Sequence, residues 1–334
     1  MTTPAAHNEV VWVEAPARLH FGLLDLRGAR GRKFGGIGAA APGPTLLVSA
    51  RPAETVSVTG EDAERAMAFA DRFLEHHRNA IGRRGAEIHV HRALPAHAGL
   101  GSGTQLALAV ARALAELHGA PADAPALAYA SGRAQRSAIG TWTFAGGGLV
   151  VEGGRRNTNA GVGPLLARLL FPSSWRCVVA VPDLAPAISG SAEAAAFAQL
   201  PPADEREVER IAHIVLMALL PALADDDLAT FGSALTEIQA ITGRWFAAVQ
   251  GGIFAPGPSE ELIRRMREWG APGVGQSSWG PAVYGIVEGE DAGRRLTERV
   301  QNALSALGVA GSIYSGPFRR DGALVWRGAQ HEGP

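Results

Sequence analysis

A two-layer α+β fold is what the sequence predicts, and three observations carry the prediction. Strand-like and helix-like stretches intermix along the 334 residues without the strict alternation that builds a doubly wound parallel sheet. The apolar fraction of 47% is enough to fill the core of one large domain or two ordinary ones. No internal repeat and no low-complexity linker divides the chain, so solenoids and beads on a string are set aside.

Strand-like segments come first, at 9–15, 44–49 and 54–59, followed by a helical pattern over 61–81. The stretch 86–92 alternates cleanly, with Ile88 and Val90 opposed to Glu87, His89 and His91, the period of a half-buried strand. From Thr104 to His118 the chain is rich in helix formers, with Leu106, Val110, Leu114 and Leu117 at helical spacing and Gly119 placed to end the run. A short strand at 149–151 closes the first half. The second half opens with a strand at 175–181, continues through helices near 205–223, 226–243 and 258–269, and ends with strands at 282–287 and 309–314 around a helix at 291–307. The expected division is a first domain over 1–170 and a second over 171–334.

The net charge of −1 gives no reason to expect nucleic acid or an anionic membrane as the main partner. One cysteine, Cys177, excludes an internal disulfide and fits a reducing compartment. The first residues carry neither a basic leader nor an apolar stretch, so a cytoplasmic location is expected. The greasiest stretch, 211–223, contains His213 and Pro221 and is too short to span a bilayer, so it reads as a core helix. Lys33 is the only lysine among 31 basic side chains, which makes arginine counts a poor guide to function here.

Residues 95–104 read Pro-Ala-His-Ala-Gly-Leu-Gly-Ser-Gly-Thr, between an expected strand and an expected helix. Glycines at 99, 101 and 103 allow a close backbone approach, and Ser102 or Thr104 can cap the helix. Amides at the start of a helix, with the positive end of its dipole, favour phosphate or carboxylate; a plain structural turn is the other reading. No lysine ends the loop and the third glycine comes one residue early for a dinucleotide fingerprint, so neither familiar nucleotide loop applies.

Other constellations add polar groups. Arg18 and His20 are two apart, so an extended segment puts them on one face, able to grip an anion or to serve as ordinary surface and core residues. The stretch 31–38 reads as a flexible glycine loop bearing Arg32 and Lys33. Between Ala124 and Val151 no acidic residue occurs, and Arg133 and Arg136 are one helical turn apart, so the segment with Ser137 and Thr141 offers donors only. The loop Gln276-Ser-Ser-Trp-Gly-Pro281 carries Ser277, Ser278 and Trp279, the last able to stack on a ring or simply to pack. Asp183 ends a strand, with metal binding or turn formation as its options. A zinc site at His89 and His91 is not expected, since no third ligand stands at a recognisable spacing. His97 lies inside the glycine-rich loop itself.

The pattern Pro-x-x-x-Gly-Leu-Gly-Ser-Gly-Thr resembles the phosphate-binding loop of the GHMP superfamily of small-molecule kinases. Together with Arg-Leu-His-Phe-Gly at 18–22, Gly-Gly-Ile-Gly at 35–38, Gly-Arg-Ala-Gln-Arg-Ser-Ala-Ile-Gly-Thr at 132–141 and Gln-Ser-Ser-Trp-Gly-Pro at 276–281, the chain is similar to the beta-ribofuranosylaminobenzene 5'-phosphate synthase family. That family is a non-kinase branch of the superfamily, acting in tetrahydromethanopterin biosynthesis. The resemblance implies a GHMP-kinase-like two-lobed fold, with an N-terminal ribosomal-protein-like lobe and a C-terminal ferredoxin-like lobe, in a homodimer. It implies a phosphoribosyltransferase that joins 5-phosphoribosyl diphosphate to 4-aminobenzoate, or 4-hydroxybenzoate, with loss of carbon dioxide and pyrophosphate.

Where several GHMP kinases carry a carboxylate base, this chain has Arg136 to Thr141 and no acid. An ATP-dependent kinase and an inactive ligand-binding relative remain as the alternatives. On the synthase reading the diphosphate is met by Gly99, Gly101, Ser102, Gly103 and Thr104, with Arg18 and Lys33 as supporting cations. Arg133 and Arg136 meet the 5'-phosphate or the aryl carboxylate. His20 or His97 shuttles the amine proton or simply donates hydrogen bonds, and Asp25 or Asp183 helps to hold Mg2+.

Overall fold

The computed structural model describes residues 10–82, 85–158, 161–184 and 190–328. The start at 1–9 and the stretch 185–189 after Asp183 lie outside the described residues. The framework of the first lobe is a long antiparallel pair, β1 (Val11–Asp25) and β2 (Arg32–Ala53). Its ladder is interrupted by register shifts between Pro16 and Arg18 and between His20 and Gly22. Such bulges re-aim side chains locally, and these two flank Arg18 and His20.

The short strand β3 (Ser57–Gly60) runs parallel to β4 (Gly85–Arg92), which pairs with β2. Strand β5 (Leu149–Glu152) pairs with Gly36 to Ala39 at the other end of β2, β6 (Arg155–Arg156) pairs with Arg32 and Lys33, and β7 (Leu165–Leu169) lies on β5. Helices α1 (Ala63–His76), α2 (Arg78–Ile81), α3 (Ser102–His118), α4 (Ala124–Ala130) and α5 (Ile139–Gly146) complete the lobe. Helix α3 lies against β1 and β2 and buries Leu106, Val110 and Leu114, the residues whose spacing announced it.

The second lobe holds β8 (Trp175–Pro182), α6 (Gly190–Gln199), α7 (Glu205–Ile214), α8 (Leu220–Ala224), α9 (Leu228–Gln250), α10 (Pro258–Glu268), β9 (Gly273–Gln276), β10 (Val283–Glu288), α11 (Glu290–Ala306) and β11 (Gly311–Gly316). Its four strands are antiparallel in the order β11-β8-β10-β9. Helices α10 and α11 cover one face through Leu262, Met266, Leu296 and Val300. Strand β12 (Leu324–Arg327) then crosses back to pair with β1 in the first lobe.

Four expectations are revised. The glycine-rich stretch 31–38 is not a flexible loop: from Arg32 onward it is the start of β2, held on one side by β1 and on the other by β5 and β6. The helix over 61–81 is two helices that meet at His77. Arg133 and Arg136 are not a turn apart on a helix, because α4 ends at Ala130 and Ala134 takes a φ of 59° in the connection to α5. The stretch 211–223 is helical but not wholly core, since Leu216 and Met217 are exposed. A π-turn spans Val215–Leu219 just before Pro221, which has no N–H for the carbonyl of Met217.

Candidate active site

The glycine-rich loop is seated on β1 from both sides. The Arg18 backbone amide donates to the Leu100 carbonyl at 3.0 Å, and the Arg18 guanidinium donates to the Gly99 carbonyl. Helix α3 begins at Ser102 with Gly101, at φ 79°, as its N-cap and no side-chain cap. Ser102 and Thr104 are therefore not caps. The Thr104 amide turns back to the Gly101 carbonyl at 3.0 Å, and the amides of Ser102 and Gly103 in the first turn have no acceptor within the helix.

Gly99 and Gly103 are glycines for different reasons. A Cβ on Gly99 would stand 2.2 Å from the Ser277 carbonyl oxygen, so its bareness lets the protein pack on itself. A Cβ on Gly103 would stand 2.7 Å from Arg65 Nη2 and 3.5 Å from Arg133 Nη2. Two guanidinium groups thus crowd the start of α3, and Arg133 also donates to the Thr104 hydroxyl at 3.1 Å. The arrangement gathers positive charge where the helix dipole already favours an anion.

His20 is 9% exposed, and its surroundings hold it neutral. Burial first, and then the Arg18 charge, push its pKa from 6.5 down to about 3. Its Nε2 lies 3.2 Å from Ser137 Oγ, and its backbone amide donates to Ser277 Oγ at 2.9 Å. The Ser277 hydroxyl passes the link on to the Gly99 carbonyl at 2.7 Å. Gln276, next to it, accepts from Ala255 N at 2.7 Å and donates to Gln250 Oε1 at 2.9 Å, which fixes the loop that carries Ser278 and Trp279.

Between these anchors a cavity opens, walled by Phe34, Phe197, Phe246, Phe254 and Trp279 and edged by Arg18, His20, Arg136, Ser137 and Ser278. Trp279 packs against Phe246 with ring centres 4.6 Å apart and against Phe197 at 5.7 Å. No acidic residue among the described residues lines the cavity. Beyond Phe34 and Phe197 a second recess carries three cations, Arg27, Lys33 and Arg136. Arg136 belongs to both, its guanidinium 5.4 Å from the centre of the Phe197 ring. The site can therefore hold a flat aromatic body against its ring-lined wall and anions at its cationic edges.

Not every expected residue is brought here. His97 is exposed on a turn with a φ of 56° and does not line the cavity. Thr141 is fully buried on α5, a core position away from the cavity wall. Neither Asp25 nor Asp183 lines the cavity. Asp25 Oδ1 accepts the Arg27 and Gly28 amides at 2.6 and 2.9 Å and so serves its own turn. Asp183 is exposed at the end of β8 in the other lobe, and no group of three or more potential ligands stands together among the described residues. His89 and His91 pair with the hydroxyls of Thr59 and Ser49, both at 2.7 Å.

Sequence reasoning missed several residues. Glu152, fully buried, lies behind His20 and Ser137, one position past the acid-free window. Arg65 reaches the glycine-rich loop from α1, and no local signal marks it. The α9 residues Gln239, Thr242, Phe246 and Gln250 were missed as well; they recur at helical spacing on one face, a signal for that face but not for what it meets, and all four line the cavity.

Comparison with known proteins bears on the family and the fold. Residues 65–147 match the GHMP kinases N terminal domain and residues 219–306 the GHMP kinases C terminal domain. Over 294 residues the chain is 34% identical to the beta-ribofuranosylphenol 5'-phosphate synthase of Methanothermobacter thermautotrophicus, spanning 83% of this chain and 88% of that one. The protein of the same name from Archaeoglobus fulgidus is 37% identical over 294 residues, 84% of this chain and 89% of its own. Among solved structures, homoserine kinase from Cytophaga hutchinsonii superposes with a TM-score of 0.74 over 98% of this chain and 99% of that one, at 16% identity. The fold is thus the expected α+β fold of the GHMP kinases.

Proposed function

Because the chain belongs to the beta-ribofuranosylphenol 5'-phosphate synthases, enzymes of the GHMP superfamily, we propose that it joins 5-phosphoribosyl diphosphate to 4-hydroxybenzoate or 4-aminobenzoate. Carbon dioxide and pyrophosphate leave, and a C-riboside 5'-phosphate remains. The observation that carries the reading is a cavity walled by aromatic rings, edged by Arg18 and Arg136 and lined by no described acid.

Each demand of the reaction has a matching group. The bond from C1' to the diphosphate oxygen breaks with negative charge growing on the leaving group, which the start of α3, Arg18, Arg65 and Arg133 are suited to meet. The 5'-phosphate, at the other end of the donor, suits the recess of Lys33, Arg27 and Arg136. The aryl acid is suited to lie against the face that Trp279, Phe246 and Phe197 present to the cavity, with its carboxylate toward the arginines. The ring carbon bearing that carboxylate attacks C1', pushed by the para hydroxyl or amine, and the ring regains aromaticity when its bond to the carboxylate breaks. No base is needed at the attacking carbon, in keeping with an acid-free lining.

A kinase would need a carboxylate or an equivalent device to ready an attacking hydroxyl, and the stretch 136–141 supplies none. The test is to incubate the purified protein with the donor and each acid and to treat the product with acid. A carbon-linked riboside survives the treatment. A product that hydrolyses, or a phosphate ester made only with ATP, counts against the reading.

A further inference from the structure

Glu152 is the one described acid placed directly behind the cavity wall, and the reaction as written gives it no task. It is fully buried on β5, with Oε1 accepting the Ala138 amide at 3.2 Å and Oε2 the Gly154 amide at 2.8 Å. A Cβ on its strand partner Gly36 would lie 3.4 Å from His20 Nε2 and 3.5 Å from Glu152 Oε1. The two side chains therefore border the same small space, kept open by that glycine. Ile139 Cγ1 closes the third side of that space, and a proton crosses it when the imidazole turns Nε2 from Ser137 toward Glu152. On the cavity side, Ser137 Oγ stands 3.2 Å from the same nitrogen.

Two forces oppose each other at this carboxyl. The two amides point at separate oxygens and favour the ionised form, while burial with no cationic partner among the described residues favours the neutral one. A buried group so balanced can take up and release a proton at ordinary pH.

We propose that Glu152 stores the proton given up by the ring substituent para to the carboxylate, receiving it through Ser137 and His20. The inference rests on the synthase reading. As the ring carbon bonds to C1' and the diphosphate leaves, electron density flows from the para oxygen or nitrogen into the ring, and its proton becomes acidic. Ser137 takes that proton and gives its own to His20 Nε2; the imidazolium, disfavoured by burial and by Arg18, passes a proton to Glu152. When the bond to the carboxylate breaks, its electron pair returns to the ring, the proton travels back, and Glu152 ends as it began.

Burial outweighs the two amides and raises the Glu152 pKa from 4.5 to about 7, whereas His20 at about 3 cannot keep a proton. The groups that face the carboxyl are His20 from β1 with Arg18 beyond it, Gly36 from β2, Leu165 from β7, Ala138 ahead of α5, and the glycines 154 and 163. Of these, His20 and Arg18 carry the titratable side chains.

The test compares the wild type with Glu152→Gln from about pH 5 to about pH 9, using the accepted aryl acid and its 3-fluoro analogue, whose para substituent releases its proton more readily. In the wild type kcat should rise through a limb near pH 7, and the variant should lack the limb and lose about ten-fold or more in kcat. The fluoro analogue should recover part of that loss while KM for the donor stays within about two-fold. An unchanged limb, or the same loss with both acids, overturns the proposal, because a merely structural role is blind to substrate acidity. Should Glu152→Gln not fold, Glu152→Asp takes its place: a loss that shrinks with the fluoro analogue is expected, and an equal loss with both acids overturns the proposal. Failure of the wild type to release carbon dioxide would instead sink the synthase reading itself.

Discussion

The backbone amide of His20 donates to the Ser277 hydroxyl at 2.9 Å, joining β1 of the first lobe to the β9–β10 turn of the second at the cavity. The same hydroxyl donates to the Gly99 carbonyl at 2.7 Å, so one serine ties together the cavity histidine, the glycine-rich loop and the second lobe. Ser277→Ala leaves the buried His20 N–H without this partner, while the part-buried Gly99 carbonyl keeps the Arg18 guanidinium. The expected cost is about 1–3 kcal/mol of stability, with a fall in kcat as the loop loses its register on β1. Urea unfolding and steady-state kinetics check it; an unchanged midpoint with unchanged kcat would refute the role.

Arg136 edges both the aromatic cavity and the cationic recess, so its loss should be felt by chemistry more than by folding. Arg136→Ala is expected to lower kcat/KM by about 100-fold or more with a near-native thermal midpoint. Near-normal turnover would remove Arg136 from the site.

Trp279 is 7% exposed and packs edge-on against Phe197 and tilted against Phe246. If these rings hold the aryl acid, Trp279→Leu raises KM for the acid by about ten-fold and leaves KM for the phosphoribosyl donor close to the wild-type value. Equal effects on both constants would mean that Trp279 only supports the loop.

Two buried groups pull stability in opposite directions with pH. His20 falls from 6.5 to about 3, so below pH 6.5 the unfolded chain binds a proton that the native one refuses. Its contribution is whole above pH 6.5 and is lost as pH falls toward 3. Glu152 rises from 4.5 to about 7, so its contribution is whole below pH 4.5 and is lost as pH rises through 7. Measured by urea unfolding, Glu152→Gln should therefore gain on the wild type between pH 4.5 and 7, and His20→Asn should gain on it as pH falls below 6.5. The limiting slope for one proton is roughly 1.4 kcal/mol per pH unit. Parallel curves would contradict the burial argument.

Legibility in the sequence followed the range of the forces involved. Leu106, Val110 and Leu114 announced α3 because a helix buries one stripe, and Ile88 and Val90 announced β4 because a strand buries one side. Arg18, His20 and the loop at 99–104 were legible as motif residues, and they do meet at the bulged middle of β1. The stretch 31–38 reads as a loop locally because its glycines favour turns; pairing with strands distant in sequence overrides that preference. Thr141 lies beside motif residues in sequence but points into the core, which only the packing of α5 decides. Glu152 stood just past the acid-free window, and nothing local says that β5 will carry it behind His20. The aromatic wall from α6 and α9 depends on how the second lobe meets the first.

The most direct test of the central claim is the fate of the aryl carboxyl group. The purified protein is supplied with 5-phosphoribosyl diphosphate and carboxyl-labelled 4-hydroxybenzoate or 4-aminobenzoate, without ATP, while labelled carbon dioxide and pyrophosphate are counted together. The account predicts that at least one acid releases its label in step with pyrophosphate, molecule for molecule. Retention of the label with both acids, alongside ATP-dependent phosphorylation of a small alcohol, would contradict it.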